Sequence, residues 1–209
     1  MSKIPDIEQR HKICVICEGY EDLHYFQRLL DLNVWNDLYK FSLINAKSAS
    51  NIPARFQDAY QNDIYEIILI FCDTDKEPYR EYAQVKKKIN SFLNKQKASE
   101  KLIMFANPCT MQIILLHFGE VSLKNQGKKT NSAEIEKWTG VKNYDAHESQ
   151  IQEICSKIFR KSYQPMKQRL EKINLPDTTS SSSNFILFLE RFESQNAKWI
   201  TDIQNYLTK

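Results

Sequence analysis

Two short apolar runs, each closed by acidic residues, constrain this chain more than any other feature. The first reads Ile13-Cys14-Val15-Ile16-Cys17 and passes into Glu18-Gly19-Tyr20-Glu21-Asp22. The second reads Ile67-Ile68-Leu69-Ile70-Phe71-Cys72 and passes into Asp73-Thr74-Asp75. Near-continuous runs of β-formers are what a strand covered on both faces of a parallel sheet requires. Ligands of open parallel sheets bind beyond the carboxyl ends of the strands, where both acidic clusters fall. If the two strands are neighbours, Glu18, Asp73 and Asp75 converge. Asp73 and Asp75 stand two residues apart, so in extended chain both point the same way, about 6.5–7 Å from each other. Three converging carboxylates repel unless a cation sits among them, and oxygen donors alone suit Mg²⁺ or Mn²⁺.

The rest of the chain supports an alternating α/β pattern. Lys12–Cys17, Phe41–Ala46, Ile64–Cys72 and Lys101–Ala106 read as strands. Glu21–Leu32, Asn51–Gln61, Pro78–Gln96 and Thr110–Phe118 read as the helices that follow them. This predicts a doubly wound, mainly parallel four-stranded sheet with helices on both faces, over residues 1–118. Glu21 and Asp22 suit the positive start of the first helix. Gly19 lets the backbone turn sharply beside the acids. Residues 119–209 read as a basic loop and helical extension packing on that core. It comprises a short helix near Ala133–Trp138, helical segments Glu148–Ser162 and Pro165–Ile173, a serine linker at Ser180–Ser183, and one amphipathic helix over Asn184–Leu207.

Cysteine usage bears on the redox setting. The five cysteines are odd in number, and three lie in or just after strand runs, which fits reduced, buried thiols. Cys14 and Cys17 do not read as a zinc pair: on a strand, residues three apart point to opposite faces, and there is no second pair of Cys or His. No apolar run is long enough to span a membrane and none resembles a signal peptide, so the expectation is a cytoplasmic protein. The formal net charge of +3 is too weak to require nucleic acid by itself.

A strand ending in Glu18-Gly19-x-x-Asp22, followed by one ending in Asp73-x-Asp75, resembles the Toprim domain of topoisomerases, bacterial primases, recombination proteins and OLD-type nucleases. Asn107-Pro108-Cys109 with Leu115-Leu116-His117-Phe118 is similar to the signature of RloB-like proteins, Toprim-type proteins found beside restriction and anti-phage genes. The likeness spans residues 12 to about 118. It departs at Thr110-Met111, where Phe-Glu is expected, at Ile113, where Trp is expected, and at Lys76-Glu77, where a glycine often follows the second motif.

The resemblance implies phosphodiester chemistry: a Mg²⁺- or Mn²⁺-dependent nuclease acting on DNA or RNA in an anti-phage system. Asp73 and Asp75 would hold the ion against a phosphate oxygen. Glu18 would act as general acid or base, or complete the ion's shell. Lys76, Lys128, Lys129, Lys157, Arg160 and Lys161 are the candidates for the phosphate backbone. The last group has members at i, i+3 and i+4, which on one helix share a face. Gly19, Asp22, Asn107 and His117 are candidates for positions beside the site; for His117 the competing reading is a packed, hydrogen-bonded core histidine. The alternative function is a non-catalytic Toprim-like module that binds nucleic acid or a partner ATPase. No Gly-x-x-x-x-Gly-Lys occurs, so any energy-driven step needs that partner.

Overall fold

The computed structural model describes residues 10–74, 80–125 and 127–208. Its centre is a five-stranded, mostly parallel sheet in the order β2-β1-β3-β4-β5. β1 (His11–Cys17), β2 (Tyr39–Asn45), β3 (Ile67–Asp73) and β4 (Ile103–Asn107) are parallel. β1 and β3, the two apolar runs, are direct neighbours, in register from Ile13 opposite Ile67 to Cys17 opposite Phe71. Residues 13–17 and 67–72 are all buried, which answers why neither run alternates polar and apolar side chains.

The connections decide where a ligand can bind. From β1, helix α1 (Tyr20–Asp31) carries the chain to β2 on one side. From β2, helix α2 (Ile52–Gln61) carries it back past β1 to β3. Right-handed crossovers in opposite directions put these helices on opposite faces. The winding therefore reverses between β1 and β3, and the carboxyl ends of those strands flank the crevice that such a reversal opens. Helices α3 (Arg80–Phe92) and α4 (Ala98–Leu102) lead into β4, and α5 (Thr110–Leu115) leaves it. The expected four strands, alternating with helices, are thus all present.

The second half differs from expectation in four places, each for a local reason. Ser180–Ser183, expected as a linker, supplies β5 (Ser182–Ser183), antiparallel to β4 and buried. Here Ser183 Oγ donates to Phe105 O at 2.6 Å and Ser182 Oγ to Pro176 O at 2.9 Å. Asn184 continues the cover of β4: its Oδ1 accepts from Phe105 N and its Nδ2 donates to Ile103 O, both at 2.8 Å. A short polar segment thus pairs an edge that would otherwise stand open. Its signal is hydrogen bonding rather than hydrophobicity, so periodicity misses it.

The single helix expected over Asn184–Leu207 is two, α9 (Phe185–Glu193) and α10 (Lys198–Thr208). Between them Tyr39 Oη lies 3.2 and 2.9 Å from the carbonyls of Ser194 and Asn196 and donates its one proton to the nearer, and Asn196 Oδ1 accepts from Lys198 N. Short polar side chains offering local hydrogen bonds compete with the helix ladder. Helix α6 (Lys128–Thr139) is longer than expected and ends at Gly140, whose φ of 73° is the left-handed cap. Helix α7 (Glu148–Ser156) stops early; a 3-10 turn at Arg160–Ser162 follows, then α8 (Tyr163–Lys172). Pro165 lies in the first turn of α8, where a missing N–H goes unneeded. Lys157, Arg160 and Lys161 therefore do not share a helix face.

The core is continuous across the chain's two halves. Phe185 of α9 stacks on Phe71 of β3 with centroids 4.9 Å apart, and contacts Tyr25 and Phe26 of α1. Cys14, Cys17, Cys72 and Cys155 are buried free thiols, and Cys109 is half-buried. Burial pushes the Cys14 and Cys155 thiols up to about 12, so both stay neutral. Among the described residues, no helix is long and apolar enough to cross a membrane.

Candidate functional site

β1 and β3 end side by side, so Glu18 and Asp73 meet as expected. Their contact is not carboxylate to carboxylate: Asp73 N donates to Glu18 Oε2 at 3.0 Å, and Glu18 is only 8% exposed. Glu18 thus secures the end of β3. Asp75 and Lys76 lie outside the described residues.

Asp73 is aimed by α5. Thr110 N donates to Asp73 Oδ1 at 2.8 Å, and Thr110 Oγ1 lies 3.0 Å from the same oxygen. The Thr110 hydroxyl also makes a very short contact with Asp22 Oδ1. A hydroxyl has one proton and cannot donate to two carboxylates at once. The arrangement closes if Asp22 is protonated, donating to Thr110 Oγ1 while Thr110 donates to Asp73. Burial, and then the charge of Glu18, push the Asp22 carboxyl well above the usual carboxylate range, consistent with that pattern. Asp22 Oδ2 accepts from Gly19 N at 3.0 Å, so Asp22 also caps α1.

Because the folded-state pKa of Asp22 is raised, its contribution to stability is present at low pH and lost as pH rises. Asp22→Asn keeps an acceptor for Gly19 N and a donor for Thr110 while removing the charge. It should melt at or above the wild-type temperature at pH 8, with the difference shrinking toward acid. A clear loss at pH 8 in a thermal melt would mean that Asp22 is ionised and needed as such.

Glu21, which sequence reasoning assigned to the helix start alone, enters the site. Its Oε2 accepts from Met111 N at 3.2 Å, and its Oε1 accepts from Tyr144 Oη. One donor atom each from Glu21, Asp73 and Cys109 lie within 4.8 Å of one another, a spacing that can hold a metal ion. All three residues are half-buried. The sequence signal for Glu21 was its place as the second residue of α1, four residues after the end of β1; the signal for Tyr144 was nil, because it comes from a loop more than a hundred residues away.

Beside this group lies a cleft of about 300 Å³. Glu21, Pro108, Cys109 and Met111 line it, as do Leu123, Asn131, Ser132, Ile135 and Tyr144. Lys124 and Lys128 stand on its rim and are exposed. Lys128 pairs with Asp145 at 2.6 Å, but both side chains are more than half exposed, so the pair is worth little and exchanges readily. Lys129 lines a shallower hollow next to it.

The other candidates lie elsewhere. α7 runs alongside α1, with Glu148 near His24 and Ile158 O accepting from Arg28 Nε at 3.0 Å. Lys157 donates to Thr139 O at 2.8 Å, at the far end of α6 from Lys128. Ile135 is the cleft-lining residue of α6 nearest to Thr139, about 6 Å of helix rise before it, so Lys157 sits beyond the cleft's edge rather than in it. Arg160 and Lys161 are exposed and do not line the cleft. Asn107 is fully buried; its Nδ2 donates to Asp177 O and Thr179 O, tying down the loop before β5.

His117 is the packed histidine. Its Nε2 is 3.0 Å from Tyr25 Oη and its Nδ1 is 2.8 Å from Ser162 Oγ, whose own proton goes to Phe159 O. That chain of donors requires a neutral ring protonated on Nδ1. Burial, and then the Arg169 charge, lower its pKa to about 3. A histidine depressed in the folded state contributes stability that is complete above its unfolded pKa and lost as pH falls. Two pH units below that unfolded value the loss is about 2–3 kcal/mol. Urea titrations of wild type and His117→Gln between pH 7 and 4.5 should show a steeper decline for wild type; parallel curves would contradict the burial argument.

No family model, no curated protein and no solved structure matches this chain.

Proposed function

We propose that this chain is a divalent-metal-dependent nuclease of the Toprim kind, cutting phosphodiester bonds of DNA or RNA. The observation that carries the reading is the grouping of Glu21, Asp73 and Cys109 donor atoms at a crevice made where the sheet's winding reverses. The two carboxylates are donors that Mn²⁺ and Mg²⁺ both accept, and the Cys109 thiol adds a softer one. They fit Mn²⁺ better than Mg²⁺, which prefers oxygen alone. When bound, such an ion stabilises charge on a phosphate oxygen during an in-line displacement.

The chain's own residues do the positioning. Thr110 orients Asp73 through two contacts, and Tyr144 with Met111 N orients Glu21. Glu21 also supplies a carboxylate beside position 111, where the resemblance expects a Glu that this chain lacks. Glu18 pins the end of β3 to that of β1. The anti-phage setting follows from the RloB-like resemblance alone.

A specific observation favours the second reading, a non-catalytic module binding nucleic acid or a partner ATPase. Glu18 and Asp22, both carboxylates of the first motif, are engaged in hydrogen bonds to the protein's own groups. Calorimetry with Mn²⁺ and Mg²⁺, run beside cleavage assays on DNA and RNA, separates the two. Metal binding with Mn²⁺-dependent cleavage supports the nuclease. Metal or strand binding without cleavage, with and without the ATPase, assigns the module.

A further inference from the structure

We propose that the cleft beside Glu21 is a subsite for one unpaired nucleotide of a DNA or RNA strand, so that the protein engages single strands or frayed ends rather than intact duplex. The inference rests on the nuclease reading and names its substrate form. The cleft's volume of about 300 Å³ is at the lower end for ligand pockets and admits one small unit. A base inside a duplex is stacked and paired, and proteins that take a base into a pocket act on single strands or first extrude it.

The lining has the mixed character a nucleotide needs. Leu123, Ile135 and Pro108 are apolar; Asn131, bonded to the Lys124 backbone, keeps one amide N–H to offer, and Ser132 Oγ, which donates to Tyr144 O, can still accept. Lys124 and Lys128 supply positive charge at the rim for a phosphate. Glu21 and Cys109, two of the three metal-capable donors, line the same cleft as the lysines, so an ion there and the positive charge would border one space for a phosphate. The larger run of positive charge in the sequence, Lys157, Arg160 and Lys161, does not line the cleft and takes no part.

The test is fluorescence anisotropy on the full chain with Ca²⁺ present, using a short labelled single strand and a blunt duplex of the same sequence. The strand should bind at least about tenfold more tightly than the duplex. Ser132→Trp, which fills the cleft, should weaken strand binding by about tenfold or more while the melting temperature holds. If that variant does not fold, the double variant Lys124→Ala/Lys128→Ala decides: its salt slope for single strands should fall by up to about 1.4 units. Lys157→Ala/Arg160→Ala/Lys161→Ala should leave that slope unchanged. Equal affinity for strand and duplex, or wild-type binding by folded Ser132→Trp, overturns the subsite. So does displacement of the strand by a free nucleoside monophosphate at a comparable concentration, which would assign the cleft to a small molecule. If the chain binds neither strand nor duplex, the nuclease reading fails as well; if it cuts duplex while Ser132→Trp is indifferent, only the subsite fails.

Discussion

Asp73→Asn should abolish Mn²⁺-dependent cleavage and leave the fold intact. Asp73 Oδ1 accepts from Thr110 N and lies within hydrogen-bond distance of Thr110 Oγ1. An asparagine oxygen keeps both contacts, so the end of β3 should hold its place against α5. What is lost is the charge. Near a protein surface, two unit charges about 4 Å apart interact by about 4 kcal/mol, so removing one carboxylate from a divalent ion should weaken binding by about three decades or more. Calorimetry should show that loss, and cleavage should disappear with it at equal melting temperature. Full cleavage by Asp73→Asn, with contaminating nucleases excluded, would put the chemistry elsewhere. Loss of cleavage with unchanged metal affinity would keep Asp73 in the site but take it off the ion.

Phe185→Ala should cost about 3–5 kcal/mol, because it empties a fully packed aromatic position. The ring is 0% exposed, stacked on Phe71 at the middle of the sheet and flanked by Tyr25 and Phe26. At this chain length each kcal/mol corresponds to about 2–4 °C, so the melting temperature should drop by roughly 6–20 °C. Urea unfolding measures the free energy directly. A change below about 1 kcal/mol would show α9 to be a peripheral addition rather than part of the central core. Leu187→Ala is the control on the same helix: Leu187 is 42% exposed, and its loss should stay within about 0.5 kcal/mol.

The α/β class and the pairing of Glu18 with Asp73 were legible from residues because their physical causes are local. Strands buried on both faces must be continuous in apolar residues, and the two such runs closed by acids became β1 and β3. Once they are neighbours, the acids that follow them have nowhere to go but one crevice. Helix and strand periodicity also located α1, α2, α3 and α5, and missed the five-residue α4. Contacts between distant segments leave no such trace. Ser182–Ser183 and Asn184 form an edge of the sheet through hydroxyl and amide hydrogen bonds, which a serine run in a linker also advertises. The break between α9 and α10 lies where Tyr39, from across the fold, binds the carbonyl of Asn196. The charge run at 157–161 pointed to nucleic acid, yet the packing of α7 along α1 carries it away from the cleft, while the less conspicuous Lys124 and Lys128 stand on the rim. His117 became a core group because Tyr25 and Ser162 close around it. Asp22 stays in the interior because Thr110 reaches it from α5. Glu21 enters the site only because Tyr144, from beyond α6, holds its carboxylate there. Sequence determines what each segment must bury; which polar groups then share a site depends on the three-dimensional neighbours that satisfy or withhold their hydrogen bonds.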